Sequence, residues 1–221
     1  MSSLPTPPTP PAPAPTGQRK RILPAQPKAA ALVMLSFTAL LYVIELVDVA
    51  LGGRMNGEGV VPRTLSGLDG VVWAPLLHAS WSHLAANTVP VLVFGFLAMA
   101  TGLTRWIVVT ALIWVISGLG VWLTGPADTS TIGASGLAFG WLAYLLVRGL
   151  FNRAIGQLLV AAVLLALWGG TLWGLLPGAD GISWQAHLFG ALGGILAAWL
   201  AARADRSRAG KAAKAPGSLE A

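Results

Sequence analysis

Six long apolar blocks constrain this chain more than any other feature of its sequence. Most of them approach the roughly 20 residues that a helix needs to cross about 30 Å of hydrocarbon. Only 10% of the residues are charged, whereas an ordinary soluble domain has about 25%. We therefore predict an all-α membrane protein, a bundle of six transmembrane helices. We place the spans at about residues 29–50, 84–102, 106–124, 135–148, 154–176 and 185–202.

The two ends of the chain differ in composition from the apolar blocks. Residues 1–27 are rich in proline and poor in large apolar side chains, so they cannot bury a core of their own. Residues 204–221 are rich in Ala, Lys and Arg. We predict disordered tails at 1–27 and 204–221, on either side of one membrane domain at 28–203.

The basic residues indicate how the bundle is oriented. If both ends lie in the cytoplasm, all of the 14 Lys and Arg residues fall inside except Arg54 and Arg63, as the positive-inside rule requires. The net charge of +6 is thus explained by membrane topology rather than by nucleic-acid binding. We expect a multi-pass plasma-membrane protein of bacterial type with cytoplasmic termini. Glu45 and Asp48 are interpreted as solvated residues at the outer end of the first span.

Two stretches do not fit simple spans. The second half of 52–82 is too apolar for water and too short to span, which predicts a half-submerged outer element between the first two helices. The fourth span, from Ser135 to Arg148, reaches only about 20 Å. The loop before it should therefore dip into the membrane from outside, where irregular backbone must line a cavity or be buried in protein. Ser135 would lie at the floor of a wet pocket.

Three of the predicted spans carry polar side chains that need a functional explanation in lipid. Counting residues from the cytoplasmic arginines brings Ser135, His187, His83 and Asn87 to a similar depth in the outer half of the membrane. A serine with an imidazole can perform acyl transfer, because the imidazole takes the hydroxyl proton and returns it to the leaving group. The Asn amide and the second imidazole can supply hydrogen-bond donors to an oxyanion. With no cysteine in the chain, thiol chemistry and cysteine-held metals are excluded.

Three motifs carry a family resemblance: HASWSHLAAN at 78–87, GASG at 133–136 and AHLFGALGG at 186–194, in this order on the second, fourth and sixth spans. Across 29–202 the chain resembles the rhomboid intramembrane serine proteases. The resemblance implies that Ser135 is the nucleophile and His187 its base, and that His83 and Asn87 line the oxyanion hole.

The resemblance has further implications. Gly190 and Gly194 would let the sixth helix pack closely on the fourth, as a GxxxG face is suited to do. The expected partners are the lipid bilayer and single-span membrane-protein substrates with small, helix-destabilising residues near the cut. No cofactor and no metal are expected. The chain departs from the family pattern at Asp69 and Gly70, where many members have Trp-Arg, and at Phe139, where a tyrosine usually stacks on the basic histidine.

Two other functions are compatible with the same residues. One is an inactive rhomboid-like protein that binds membrane clients, although an intact Ser135 and His187 favour activity. The other is a membrane transporter or haem protein that uses His83 and His187 as ligands.

Overall fold

The computed structural model describes residues 20–178 and 181–213, and its described part is all helical. Each of the six predicted spans overlaps one long helix. Short 3-10 segments extend α3 over Met99–Thr101 and α6 over Gly169–Leu175. The seven α-helices among the described residues are α1 Pro27–Ala50, α2 Gly70–Trp73, α3 Trp81–Ala98, α4 Leu103–Thr124, α5 Ser135–Asn152, α6 Ile155–Trp168 and α7 Trp184–Ala213.

Five of these helices are long and apolar enough to cross a membrane, namely α1, α3, α4, α6 and α7. Helices α3 and α6 reach that length together with their 3-10 extensions. The chain is therefore a multi-pass membrane protein. Helix α5 is 18 residues long but does not reach the same apolar character, because Arg148, Asn152 and several small residues interrupt it. The predicted count of six spans is thus supported for five helices.

Helix α5 lies at the centre of the bundle and packs most extensively against α7. Trp141, Leu137 and Leu145 on α5 are at most 1% exposed. On the facing side of α7, a Cβ at Gly190 would collide with the carbonyl of Gly136, and one at Gly194 with the carbonyl of Gly140. These contacts require glycine, and they bring the backbones of α5 and α7 into direct contact.

The outer helices face away from the core. Helix α1 exposes large apolar residues such as Leu32 and Leu46, and α6 exposes Ile155 and Leu159. Only 11% of the apolar window of α6 and its 3-10 extension is buried, against 56% for α7. Such exposed apolar faces are typical of helices whose solvent is lipid, and α6 is the most peripheral of the five.

The long segment between α1 and α3 is tied to the loop that precedes α5. Val60 and Thr131 exchange both backbone hydrogen bonds at 3.0 Å, and the N–H of Gly133 donates to the carbonyl of Ala74 at 2.8 Å. Val72 and Trp73 expose apolar surface on the other side of this segment. The segment therefore holds the loop that precedes Ser135 on one side and presents an apolar face on the other.

Three expectations need correction. Glu45 and Asp48 are only 2% and 3% exposed, so the prediction of solvated residues was wrong. They lie on the face of α1 that packs on α3, and Asp48 accepts the N–H of Met55 at 2.7 Å. Arg148 does not end the fourth helix, which continues to Asn152, and it is 2% exposed.

Helix α7 also extends past the predicted end of the membrane domain at residue 203, as far as Ala213. Arg105 at the start of α4 forms a two-pronged ion pair with Asp205, with N–O distances of 2.7 and 2.5 Å. This contact holds the first turn of the extension against the bundle. The remaining residues of the predicted disordered tails, 1–19 and 214–221, lie outside the described part of the chain.

Candidate active site

The hydroxyl of Ser135 is hydrogen-bonded to the imidazole of His187. Ser135 is the first residue of α5, and His187 lies in the first turn of α7. The Ser135 Oγ–His187 Nε2 distance is 2.8 Å, within the range for an O–H donor and a ring nitrogen. His187 is only 7% exposed. The close packing of α5 on α7 at Gly190 therefore also brings together the two groups that the sequence predicted as nucleophile and base.

The opposite ring nitrogen of His187 has a backbone partner. Its Nδ1 lies 2.9 Å from the carbonyl oxygen of Gly174, in the 3-10 segment that follows α6. A carbonyl can only accept a hydrogen bond, so Nδ1 carries the proton and Nε2 keeps a free lone pair toward Ser135. Sequence reasoning did not find Gly174, because a backbone carbonyl contributes through its position and not through its residue type.

The face of the His187 ring is covered by Phe139. The two rings are stacked with their centroids 4.0 Å apart and an interplanar angle of 7°. Phe139 follows Ser135 by one helical turn on α5, so the same helix supplies the hydroxyl and the stacking ring. Phe139 lacks the phenolic hydroxyl of the tyrosine that is usual at this position, and its ring still stacks on His187.

His83 borders the same space from α3. A Cβ placed on Gly133 would lie 2.8 Å from His83 Nε2 and 3.9 Å from Ser135 Oγ, so both atoms border one point beside the loop that precedes Ser135. Gly133 has φ +123°, a conformation that suits glycine alone. The N–H of Ala79 donates to His83 Nδ1 at 3.4 Å. In the neutral ring this leaves the proton on Nε2, which can then donate toward that point.

Asn87 is buried one turn further along α3, but its described contact is with its own helix. Its amide nitrogen donates to the carbonyl of His83 at 2.9 Å. The start of α3 is capped by Ser80, whose hydroxyl accepts the N–H of His83 at 3.2 Å. The structure thus brings Ser135, His187 and His83 together, while Asn87 supports the backbone under His83.

His78, in the segment between α1 and α3, contacts the loop that precedes Ser135. Its Nε2 accepts the N–H of Ala134 at 3.4 Å, and its ring meets that of His83 edge-on at 5.1 Å. Burial, and secondarily the nearby His83, lowers the pKa of His78 to about 4, so its ring is neutral at physiological pH. In the neutral ring, an Nε2 that carries no proton can accept the hydrogen bond from the Ala134 N–H.

A small cavity of about 20 Å³ lies behind the first turn of α5, enough for one water molecule. Loop residues Ile132 and Gly133 line it from one side, and Ser117 of α4 lines it from the other. The Ser117 hydroxyl donates to the carbonyl of Ala186 at 2.8 Å. The loop before Ser135 therefore lines a cavity, but most of the lining is apolar and Ser135 is not part of it. A wet pocket with Ser135 at its floor stays a prediction.

Comparison with known proteins points to one family. Residues 67–204 match the family model described as Rhomboid domain. The chain is 48% identical over 181 residues to the uncharacterized protein Rv1337 of Mycobacterium tuberculosis, covering 78% of this chain and 75% of that protein. It is 33% identical over 135 residues to the Bacillus subtilis protein named "Putative rhomboid protease YdcA", covering 60% of this chain and 67% of that protein.

Proposed function

This chain belongs to the rhomboid family of intramembrane proteases, and on that premise we propose that it is a serine endopeptidase that cleaves the transmembrane segments of other membrane proteins. The observation that carries the proposal is the 2.8 Å hydrogen bond between Ser135 Oγ and His187 Nε2. A serine hydroxyl becomes a useful nucleophile when an adjacent base takes its proton. The free lone pair on Nε2, set by the Gly174 carbonyl, makes His187 that base.

The reaction follows from these positions. Ser135 Oγ attacks the scissile carbonyl carbon while its proton passes to His187 Nε2. The tetrahedral intermediate then collapses, the C–N bond breaks, and His187 gives the proton to the leaving amine. A water molecule attacks the resulting ester with His187 again as base, which releases the acid and restores Ser135.

Charge on the oxyanion is stabilised from two directions in this mechanism. His83 Nε2–H faces the space beside Gly133, close to Ser135 Oγ. Helix α5 begins at Ser135 without a side-chain cap, so the backbone N–H groups of its first turn are available at its positive end. Asn87 contributes by holding the His83 backbone through its amide. Donors fixed before the reaction are worth more than donors that must reorganise.

The orientation of the site follows from charge placement. We propose six spans, α5 being the central one, with both termini in the cytoplasm. Arg105, Arg203 and Arg206 cluster at one end of the bundle, and Ser135 and His187 lie toward the other. The active site would then open to the outer side, and single-span substrates would reach it from the bilayer.

The test is cleavage of a transmembrane reporter by purified protein in detergent. Ser135→Ala and His187→Ala should each abolish cleavage, because nucleophile and base act as a unit. A fluorophosphonate should label Ser135 alone and should need His187. Ser117→Ala is the matched control, since this buried hydroxyl donates to the Ala186 carbonyl instead of a base. Substantial turnover by Ser135→Ala, or labelling of Ser117, would refute the assignment.

A further inference from the structure

The imidazole of His187 is held at both nitrogens, and one of its two partners is on the 3-10 segment Gly169–Leu175. Ser135 Oγ lies at Nε2 and the Gly174 carbonyl at Nδ1, at 2.8 and 2.9 Å. In serine–histidine–aspartate triads the position at Nδ1 is filled by a carboxylate, which fixes the tautomer and stabilises the imidazolium. Here the described partner at this position is a neutral backbone oxygen.

We propose that the Gly174 carbonyl is the positioning group of this active site and takes the structural place of the triad carboxylate. It selects the Nδ1-protonated tautomer of His187, orients the ring toward Ser135, and accepts a stronger hydrogen bond when the ring becomes charged. The inference rests on the proposed function, because it assigns a role to a neighbour of the same base. Gly174 itself does not touch the reacting atoms.

The packing around Gly174 explains why this position needs a glycine. A Cβ added there would lie 3.1 Å from His187 Nδ1 and 3.2 Å from Phe139 Cζ. Both distances are shorter than ordinary contacts, so any side chain would push the carbonyl segment away from the stacked rings. Gly174 has no positive φ, so the requirement comes from the rings and not from backbone conformation.

The element that carries this carbonyl is only lightly held by the rest of the bundle. The segment packs on α6 and α7, and α6 with its extension has the least buried apolar window of the five candidate spans. Just before the segment, Trp168 at the end of α6 meets Phe94 of α3 edge-on, with ring centroids 5.3 Å apart. It follows that the Nδ1-protonated tautomer of His187 is selected only while this segment packs against α7.

The direct test is nitrogen NMR of the full chain, labelled with ¹⁵N-histidine and purified in detergent. The sequence has only three histidines, so His78→Gln and His83→Gln variants assign the spectrum. The proton of wild-type His187 should be on Nδ1. In Gly174→Ala, and more strongly in Gly174→Val, part of that signal should move to the Nε2-protonated tautomer.

Kinetics on the same proteins supply the second measurement. Misplacing a catalytic group by about 1 Å costs on the order of 10²-fold, so Gly174→Val should lose about that much in kcat with KM little changed. Gly174→Ala, whose methyl needs a shift of only a few tenths of an ångström, should lose several-fold. Gly170→Ala is the matched control, since it lies on the same segment with nothing within 4 Å of its added Cβ.

The outcomes separate this proposal from the proposed function. Wild-type kcat in Gly174→Val, or a lowered kcat with the wild-type tautomer signal, would overturn the role of Gly174. If Gly174→Val does not fold, Gly174→Ala decides by the same two criteria. Cleavage by Ser135→Ala would instead overturn the serine mechanism. The tautomer measurement needs no substrate and therefore reports on Gly174 even then.

Discussion

Phe139 lies flat against the imidazole of His187, with 4.0 Å between the ring centroids and 7° between the ring planes. The ring edges are held by hydrogen bonds to Ser135 and Gly174, and the stack covers one of the two faces. The imidazole is therefore restrained against both in-plane rotation and tilting. Its position depends on α5, α7 and the segment that follows α6.

Removing the stacking ring should slow the chemical step. Phe139→Leu keeps an apolar side chain but loses the flat surface, so His187 can tilt away from Ser135. We expect kcat to fall about tenfold, since small misplacements of a catalytic group are costly, while KM changes little. Phe139→Tyr keeps the ring and serves as the control. Steady-state cleavage of a reporter measures kcat and KM for the two variants. An unchanged kcat in Phe139→Leu would show that the stack is dispensable.

The two supporting residues on α3 should differ in importance. His83 Nε2 faces the space beside Ser135, whereas the Asn87 amide is engaged with the His83 carbonyl. Loss of an essential oxyanion donor costs about 10²–10³ in rate, so His83→Ala should approach that loss in kcat. Asn87→Ala should cost less, and the double variant more than either single one. Equal losses, or an effect of Asn87→Ala on KM alone, would contradict these roles.

The glycines of α7 should be needed for stability. A methyl at Gly190 or Gly194 collides with the carbonyl of Gly136 or Gly140, and forcing such contacts apart typically costs about 1–3 kcal/mol. Gly190→Ala and Gly194→Ala should lower the thermal unfolding midpoint in detergent and reduce activity by separating Ser135 from His187. Gly210→Ala, on the same helix with nothing within 4 Å, should do neither. A wild-type midpoint in both variants would contradict the close packing.

His78 should make the fold sensitive to acid. Its pKa is about 4 in the folded protein and 6.5 when unperturbed, so the unfolded chain binds more protons between these values. The contribution of His78 to the free energy of unfolding is therefore fully present above about pH 6.5, is lost as the pH falls to about 4, and changes no further below that. The pKa difference of about 2.5 units between the unfolded and folded states corresponds to roughly 3 kcal/mol of unfolding free energy. His78→Gln should flatten the pH dependence of the unfolding midpoint over this window; an unchanged slope would exclude His78 as its source.

Much of the helical framework could be predicted from the sequence, because apolar blocks of bilayer length have one stable conformation in lipid. Each predicted span overlaps an observed helix. That the loop before the short fourth block reaches into the membrane stays a prediction. The ends were less accurate. Arg148 was taken as the end of a helix, but the helix continues to Asn152. The Arg148 guanidinium packs 5.8 Å from the Tyr144 ring and donates to the Leu97 carbonyl at 3.4 Å, so a buried arginine is accommodated inside the helix.

The candidate site was predictable only as far as side chains reveal it. Ser135, His187 and His83 could be selected because hydroxyl and imidazole groups in apolar helices require an explanation. Glu45 and Asp48 were misjudged, since distance along a helix gives depth but not which face is covered by a neighbour. The Gly174 carbonyl could not be found, because every residue has a carbonyl and only the fold decides which one meets His187.

The pairing of Val60 with Thr131 also limits how the length of this chain can vary. The two backbone hydrogen bonds fix Thr131 in space, and Ser135 begins α5 four residues later. An insertion between these points would shift Ser135 along its helix and away from His187. Residues 126–129 lie before the pairing, between the Gly125 carbonyl that accepts from Arg63 and the Ser130 hydroxyl that donates to the Asn56 carbonyl. Among relatives, insertions and deletions in this loop should therefore fall at 126–129, while the spacing from Thr131 to Ser135 stays constant.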